Sequence, residues 1–376
     1  MKLAIIRQRY TPYGGAERFI ERALSTLGSD DLDVTVIARD WPEDAQSDFQ
    51  RLLVQPFSIG RTWRDAAFAH AACRVVANEG FDLVQSHERL PCCDIFRAGD
   101  GVHREWLIQR ARLRGSWKSM GSRFSLFHRR LLNAEKAMFA SPRLKHVICI
   151  SRMVRDDVLR HYEIPEHKLS VIYNGLDLQA FHPGLRTLHR NRLRAELGLS
   201  KEAVVFLFVG SGFERKGVPM LLRLWPALPR HAHLVVIGYD RKADQYARLA
   251  RKLGLEHRMH FVGPKQDVAP WYGLADVFAF PTIYEPFGNA PLEALASGVP
   301  VLTTRKCGAS ELIHPGVNGE ILDAFDEVGW QQALLAWLKP DRQEAARPSA
   351  RASAIPFTYA AMEQNFRHLY STLKAA

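Results

Sequence analysis

Short apolar runs recur between amphipathic stretches along the whole chain: KLAII, DVTVIA, DLVQS and HVICIS in the first half, then VVFLFVG, HLVVIG, MHFVG, DVFAFP and PVLTT. Continuous apolar runs suit strands buried on both faces, and strands alternating with helices make parallel sheets covered on both sides. Two such series are present, one from Lys2 to about Tyr173 and one beginning at Ala203. The pattern predicts an α/β protein of two doubly wound, Rossmann-like domains facing a cleft. Between the series lies YNGLDLQAFHPG, whose Asn174-Gly175 and Pro183-Gly184 pairs are breakers, so the hinge is expected near residues 175 to 185. After a polar stretch with Pro340 and Pro348, the residues Tyr359, Met362, Phe366, Leu369 and Leu373 follow helical spacing. They predict an amphipathic helix closing back toward the N-terminal domain. The expected division is 1–175, 176–355 and a closing helix 356–376.

Composition narrows this picture in two respects. With 376 residues, 47% hydrophobic and 24% charged, the chain is too long for one core and excludes disorder, collagen and coiled coil. The net charge of +11 is concentrated: residues 101–150 hold 11 Lys/Arg against two acids, Glu105 and Glu135, and the remainder is nearly neutral. The first apolar run, Leu3 to Ile6, is too short for a signal peptide or a spanning helix, so a cytoplasmic location is expected. Cys73, Cys92, Cys93, Cys149 and Cys307 are odd in number and lack C-x-x-C spacing, and are expected to be free buried thiols.

Chemistry is expected in the loops that follow strands, because ligands of such sheets bind at the strands' C-terminal ends. Gly14-Gly15 follows the first strand and precedes a helix, which lets a ligand approach backbone N–H groups; the spacing is not that of a nicotinamide site. VVFLFVGSGFERKG leads from a buried strand to Arg215-Lys216, and two cations there suit a diphosphate. FAFPTIYEPFGNAPLEALASG carries Glu285 in a loop and Glu293 one turn into a helix with Pro291 in its first turn. The N–H groups of Phe287, Gly288, Asn289 and Ala290 suit phosphate oxygens, and a carboxylate suits a sugar or ribose diol.

These residues match a family. E-P-F-G-N-A-P-L-E-A-L-A-S-G-V-P-V resembles the E-x7-E signature of the retaining glycosyltransferases of family 4, which have the two-domain GT-B fold. Gly14-Gly15, CISRMVRDDV with VIYNGLDLQAF, VGSGFERKG and KCGASELIHPGVNGEIL are similar to other segments of that family, so the resemblance spans nearly the whole chain. Within it, the short N-terminal loop, F-E-R-K-G and the Asp100 region are most similar to glucosyltransferases of the lipopolysaccharide core. The resemblance implies a nucleotide-diphosphate sugar donor, a UDP-sugar such as UDP-glucose, transfer with retention, and no required metal or other cofactor. It implies that Arg215 and Lys216 neutralise the leaving diphosphate and that Glu293 binds the ribose. Glu285 would hold the donor sugar near its anomeric carbon, and Gly14 and Gly15 would admit diphosphate and acceptor. Ser211 stands where many members have a further Arg, so more weight falls on Arg215, Lys216 and the helix N-terminus.

On the acceptor side the candidates are Asp100 and His103, in CDIFRAGDGVHREW after a strand, and Arg18 beside the glycine loop. A carboxylate or imidazole there can contact the reacting groups and manage a proton. From Arg104 to Arg130 eight cations accompany one acid, interleaved with aromatics. Trp117, Lys118, Arg123, Phe124, Phe127, Arg129 and Arg130 read as a surface docking on the anionic inner face of the cytoplasmic membrane. Gly115 and Gly121 argue against one uninterrupted helix. The expected partner is a lipid-linked or lipopolysaccharide-core saccharide. A sugar-nucleotide epimerase of the same fold is the alternative, and cations clustered beside paired glutamates disfavour a nucleic-acid-binding protein.

Overall fold

A computed structural model describes residues 1–9, 33–41, 50–114 and 125–375. The chain divides into two compact units, Met1–Gly175 together with Tyr359–Ala376, and Leu176–Thr358.

The first unit holds a seven-stranded sheet in the order β3-β2-β1-β4-β5-β6-β7, parallel throughout. Its strands are β1 (Lys2–Ile6), β2 (Asp33–Ala38), β3 (Gln50–Leu53), β4 (Leu83–Ser86), β5 (Ile95–Ala98), β6 (His146–Cys149) and β7 (Leu169–Val171). The C-terminal helix Tyr359–Ala375 belongs to this unit. Its Met362, Phe366, Leu369 and Tyr370 share one core cluster with Leu3, Ile5, Val36, Leu83 and Ile148, and Tyr359 and Leu373 pack against the edge of it. Each apolar side chain so buried contributes roughly 1.5–3 kcal/mol. The Tyr370 hydroxyl donates to Gln85 Oε1 at 2.8 Å, which satisfies two polar groups inside that core.

The second unit holds a six-stranded parallel sheet in the order β10-β9-β8-β11-β12-β13. The strands are β8 (Val204–Val209), β9 (Ala232–Ile237), β10 (Met259–Gly263), β11 (Val277–Phe280), β12 (Val301–Thr304) and β13 (Gly319–Leu322). Every residue of β8 and β11 is buried, as their unbroken apolar sequences require. In both sheets the strand order reverses beside the unit's first strand, between β1 and β4 and between β8 and β11. Such a switch point opens a crevice at the strands' C-terminal ends.

Three findings depart from the sequence reading. β3 and β13 lack the apolar run that marks a central strand: both are edge strands, with the sequences QRLL and GEIL. The polar stretch around Pro340 and Pro348 is a helix, Pro340–Ala354, whose buried side is Gln343, Ala346, Ala350 and Ala354; small residues hide its amphipathicity. Cys73 and Cys92 are not free thiols but a disulfide with Cα atoms 5.6 Å apart. Helix Gly60–Asn78 brings Cys73 back beside the segment before β5, a contact that spacing alone does not reveal. Cys93, Cys149 and Cys307 are free and buried.

Candidate active site

The second unit's switch point gathers the predicted cations and the first glutamate. β8 ends in Gly210 and a loop that turns into the short helix Phe213–Lys216. Gly217, at φ +86°, ends that turn where a Cβ would stand 2.2 Å from the Pro281 carbonyl oxygen, so only glycine lets the two loops meet. The Ile283 amide donates to the Arg215 carbonyl at 3.0 Å and locks the loop after β8 to the loop after β11. Lys216 runs its stem over Gly210, where a Cβ would lie 2.8 Å from Lys216 Cδ, and its Nζ stands 5.2 Å above the Phe280 ring.

Both cations converge on one carboxylate. Arg215 Nη1 is 2.8 Å from Glu285 Oε2 and also donates to the Tyr284 carbonyl at 2.8 Å, while Lys216 Nζ is 3.5 Å from Glu285 Oε2. Glu285 is held from behind: its amide donates to the Lys306 carbonyl at 2.8 Å and its carbonyl accepts from the Gly308 amide at 2.9 Å. Burial alone would raise the Glu285 pKa, but the charges of Lys216 and Arg215 outweigh it and hold the group down at about 2. A depressed carboxylate stabilises the fold fully above its ordinary value of 4.5 and loses that contribution as pH falls toward 2. Acid unfolding followed by thermal melts is therefore expected to show a limb between about pH 4.5 and 2 that Glu285→Gln makes shallower.

Beside this triad, Gly288 at φ +95° opens the helix Asn289–Ala296 and, as a glycine, offers no side chain of its own to cap it. Phe287 is buried, and its carbonyl accepts from the Ala309 amide at 2.6 Å, so the residues before the helix are fixed. A helix start after a buried strand, opened by a glycine, is suited to an anion. Glu293 lies one turn inside, 8% exposed, and its Oε2 accepts from the Tyr272 hydroxyl at 2.8 Å.

The acceptor-side candidates occupy the first unit. Gly14, Gly15 and Arg18 lie outside the described residues, as do Trp117, Lys118, Arg123 and Phe124. Asp100 is exposed, with Oδ2 3.8 Å from Arg7 Nη1. The same Arg7 atom is 3.6 Å from Glu88 Oε1, so residues after β1, β4 and β5 meet at this sheet's own switch point. Burial raises the Glu88 pKa against the pull of Arg7. His103 stacks on Trp106 with centroids 5.8 Å apart and shares a hydrogen bond with His128. Burial and the nearby Arg89 lower its pKa to about 4, so the ring is neutral near pH 7.

A buried ion pair sets this loop. Glu135 accepts from Arg89 Nε at 2.8 Å, from the His103 amide at 2.9 Å and from the Tyr162 hydroxyl at 2.5 Å, while Arg89 Nη2 donates to the Gly101 carbonyl at 3.0 Å. Arg7, Glu88, Arg89, Glu135 and Tyr272 were not singled out from sequence. Each acts through a partner distant in the chain, and only the strand-end positions of Arg7 and Glu88 carried a usable signal. Of the basic segment, Phe127 is half-buried and Arg129 and Arg130 are exposed at the start of the helix Leu126–Phe139.

Two family models match the chain: "Glycosyltransferase Family 4" over residues 13–180 and "Glycosyl transferases group 1" over residues 189–354. The two models together span most of the chain, and both are of glycosyltransferases. The lipopolysaccharide glucosyltransferase WaaG of Escherichia coli (strain K12) is 26% identical over 326 residues, 86% of this chain and 85% of that one. A D-inositol 3-phosphate glycosyltransferase of Corynebacterium diphtheriae is 31% identical over 228 residues, 57% of this chain and 53% of that one. Among solved structures, WaaG superposes with a TM-score of 0.82 at 24% identity, covering 96% of this chain and 98% of WaaG. Anabaena HepE in complex with UDP-glucose gives a TM-score of 0.74 at 19% identity, covering 99% of this chain and all of that one. These similarities make the fold GT-B and the protein a glycosyltransferase.

Proposed function

We propose that this glycosyltransferase moves a hexose from a UDP-sugar, UDP-glucose or a near relative, to a membrane-linked saccharide of the lipopolysaccharide core, with retention of configuration. The observation that carries the reading is the Arg215–Lys216–Glu285 triad beside the start of the helix Asn289–Ala296 at the β8/β11 switch point. Cleaving a glycosyl phosphate develops negative charge on the diphosphate and positive charge on the sugar ring. Arg215, Lys216 and the N–H groups of Phe287 to Ala290 meet the first, and Glu285 meets the second while binding sugar hydroxyls. Fixed cations supply the charge that a metal would otherwise supply, so turnover is expected to persist in chelator. The donor base is assigned from HepE, which was solved with UDP-glucose, and the acceptor class from WaaG.

In the resting arrangement Glu285 engages both cations. Donor binding exchanges carboxylate for diphosphate oxygens, which frees Glu285 for the sugar. Glu293 takes the ribose diol, and Asp100 and His103, with Arg18 beside the glycine loop, serve the acceptor. A product assay with UDP-glucose, run with and without a lipopolysaccharide-core saccharide, tests this. Acceptor-dependent formation of an α-linked hexose, read by NMR, is expected, and turnover that needs no acceptor contradicts it. Both family models are of glycosyltransferases, and the epimerase reading is not carried forward.

For location, the reading is a cytoplasmic enzyme docked on the inner face of the cytoplasmic membrane. Among the described residues no helix is long and apolar enough to cross a membrane. Exposed Leu126, Arg129 and Arg130 open one helix, and Arg130 lines a groove of about 890 Å³ with Leu53, Trp63, His70 and Arg74. Cations near an anionic surface contribute about 1 kcal/mol each. Reversing Arg123, Arg129 and Arg130 to Glu is expected to abolish co-sedimentation with liposomes containing anionic lipid; unchanged sedimentation contradicts the docking assignment.

A further inference from the structure

We propose that Tyr272 is the positioning residue of the ribose site: its hydroxyl fixes the Glu293 carboxylate in the orientation that receives the nucleotide's diol. The proposal rests on the reading of Glu293 as the ribose ligand and adds what makes that carboxylate selective. Tyr272 lies in the helix Ala269–Leu274, immediately before β11, whereas Glu293 lies in the helix that follows the same strand. Its hydroxyl is 2.8 Å from Glu293 Oε2 and 3.2 Å from the Ala290 carbonyl oxygen, so it reaches both the carboxylate and the first turn of the helix that carries it.

The tyrosine is a fixed point. Its side chain is 1% exposed, with Phe181 edge-on at 5.7 Å and Phe278 at 5.9 Å between ring centroids. Its helix is pressed onto the residues that open the helix Leu185–Glu196: a Cβ on Gly273 would stand 2.2 Å from the Leu185 carbonyl oxygen. The phenol therefore offers its proton from a rigid ring, while a glutamate side chain has three rotatable bonds to restrain. A carboxylate has about four lone-pair sites, so the hydrogen bond from Tyr272 does not by itself fill it. Holding the carboxylate in one rotamer before the ligand arrives removes an ordering cost from binding.

The experiment compares UDP with 2′-deoxy-UDP by isothermal titration calorimetry on the full chain, for wild type, Tyr272→Phe and Glu293→Gln, with melting temperatures recorded alongside. Wild type is expected to prefer UDP by roughly tenfold, the scale of one hydrogen bond to a charged group. Glu293→Gln and Tyr272→Phe are both expected to bring the preference to within about twofold, chiefly by weakening UDP. A tyrosine that only fills space would weaken both ligands alike and leave the ratio unchanged. Retention of the full preference in Tyr272→Phe, with its loss in Glu293→Gln, overturns the role of Tyr272 and leaves that of Glu293 standing. A wild type with no preference, or a Glu293→Gln variant that keeps it, overturns the ribose assignment and this proposal with it. The double variant guards against a folding effect: loss no greater than that of Glu293→Gln alone supports the coupling, and additive loss contradicts it.

Discussion

Lys216→Ala and Arg215→Ala are each expected to lower kcat by roughly 10²–10³-fold, the loss that follows removal of one preorganised contact to a developing negative charge. The cost falls on turnover rather than folding because both side chains stand in the short helix after β8, where their partners include Glu285, the Tyr284 carbonyl and the face of Phe280. Lys216 holds its ammonium over Phe280 and next to Glu285 before any ligand arrives, so little reorganisation is needed when the diphosphate forms. Arg215→Lys keeps the charge but gives up the planar guanidinium, whose Nη1 donates to both the Glu285 carboxylate and the Tyr284 carbonyl, and it is expected to recover only part of the rate. Glu285→Gln separates this account from general damage. Removing the negative partner releases both cations, so UDP is expected to bind more tightly while turnover falls. Steady-state kinetics with UDP inhibition constants read both quantities, and parallel weakening of the two would contradict the charge exchange.

Glu135→Ala destabilises the protein by about 3–5 kcal/mol, because it strands the Arg89 guanidinium in the interior. The two side chains are 1% and 9% exposed and 2.8 Å apart. Burial works against the Glu135 charge, and the Arg89 charge with the Tyr162 and His103 hydrogen bonds overcomes it and holds the pKa below the ordinary carboxylate value. In a unit of this size the loss corresponds to a melting-temperature fall of roughly 10 °C. Replacing Glu135 with leucine and Arg89 with methionine together is expected to restore most of the stability, since no buried charge remains. The double variant nevertheless gives up the bonds to Gly101 and His103 that shape the Asp100–His103 loop. Its KM for the acceptor is expected to rise while nucleotide affinity, which the proposed donor site places in the other unit, stays at the wild-type value. Differential scanning calorimetry and acceptor titration check the two halves of this prediction.

The placement of Arg215, Lys216 and Glu285 after buried strands, and of Glu293 in the helix that follows one of them, was legible in the sequence because hydrophobic periodicity located both strands. The C-terminal helix was legible for the same reason: Met362, Phe366 and Leu369 repeat at helical spacing and all enter the core of the first unit. Three kinds of feature were not. Edge strands such as β3 bury too little to show an apolar run, and the Ala-lined face of Pro340–Ala354 carries no large hydrophobic signal. The contacts of Tyr272 with Glu293, of Arg7 with Glu88 and of Arg89 with Glu135 are set by topology, between residues whose local sequence gives no reason to pair them. The Cys73–Cys92 bond belongs with these, since helix direction alone decides that the two thiols meet.

The central claim is that the second unit binds a uridine-diphosphate sugar through the cations after β8 and the helix after β11. A thermal-shift screen of UDP-, GDP- and ADP-sugars against wild type and Glu293→Ala tests it most directly. At a ligand concentration a hundredfold above Kd, binding stabilises the native state by about 2.7 kcal/mol. A clear rise in Tm with a UDP-sugar and its loss in Glu293→Ala are expected; no rise with any sugar nucleotide, or an equal rise in the variant, would overturn the donor-site assignment.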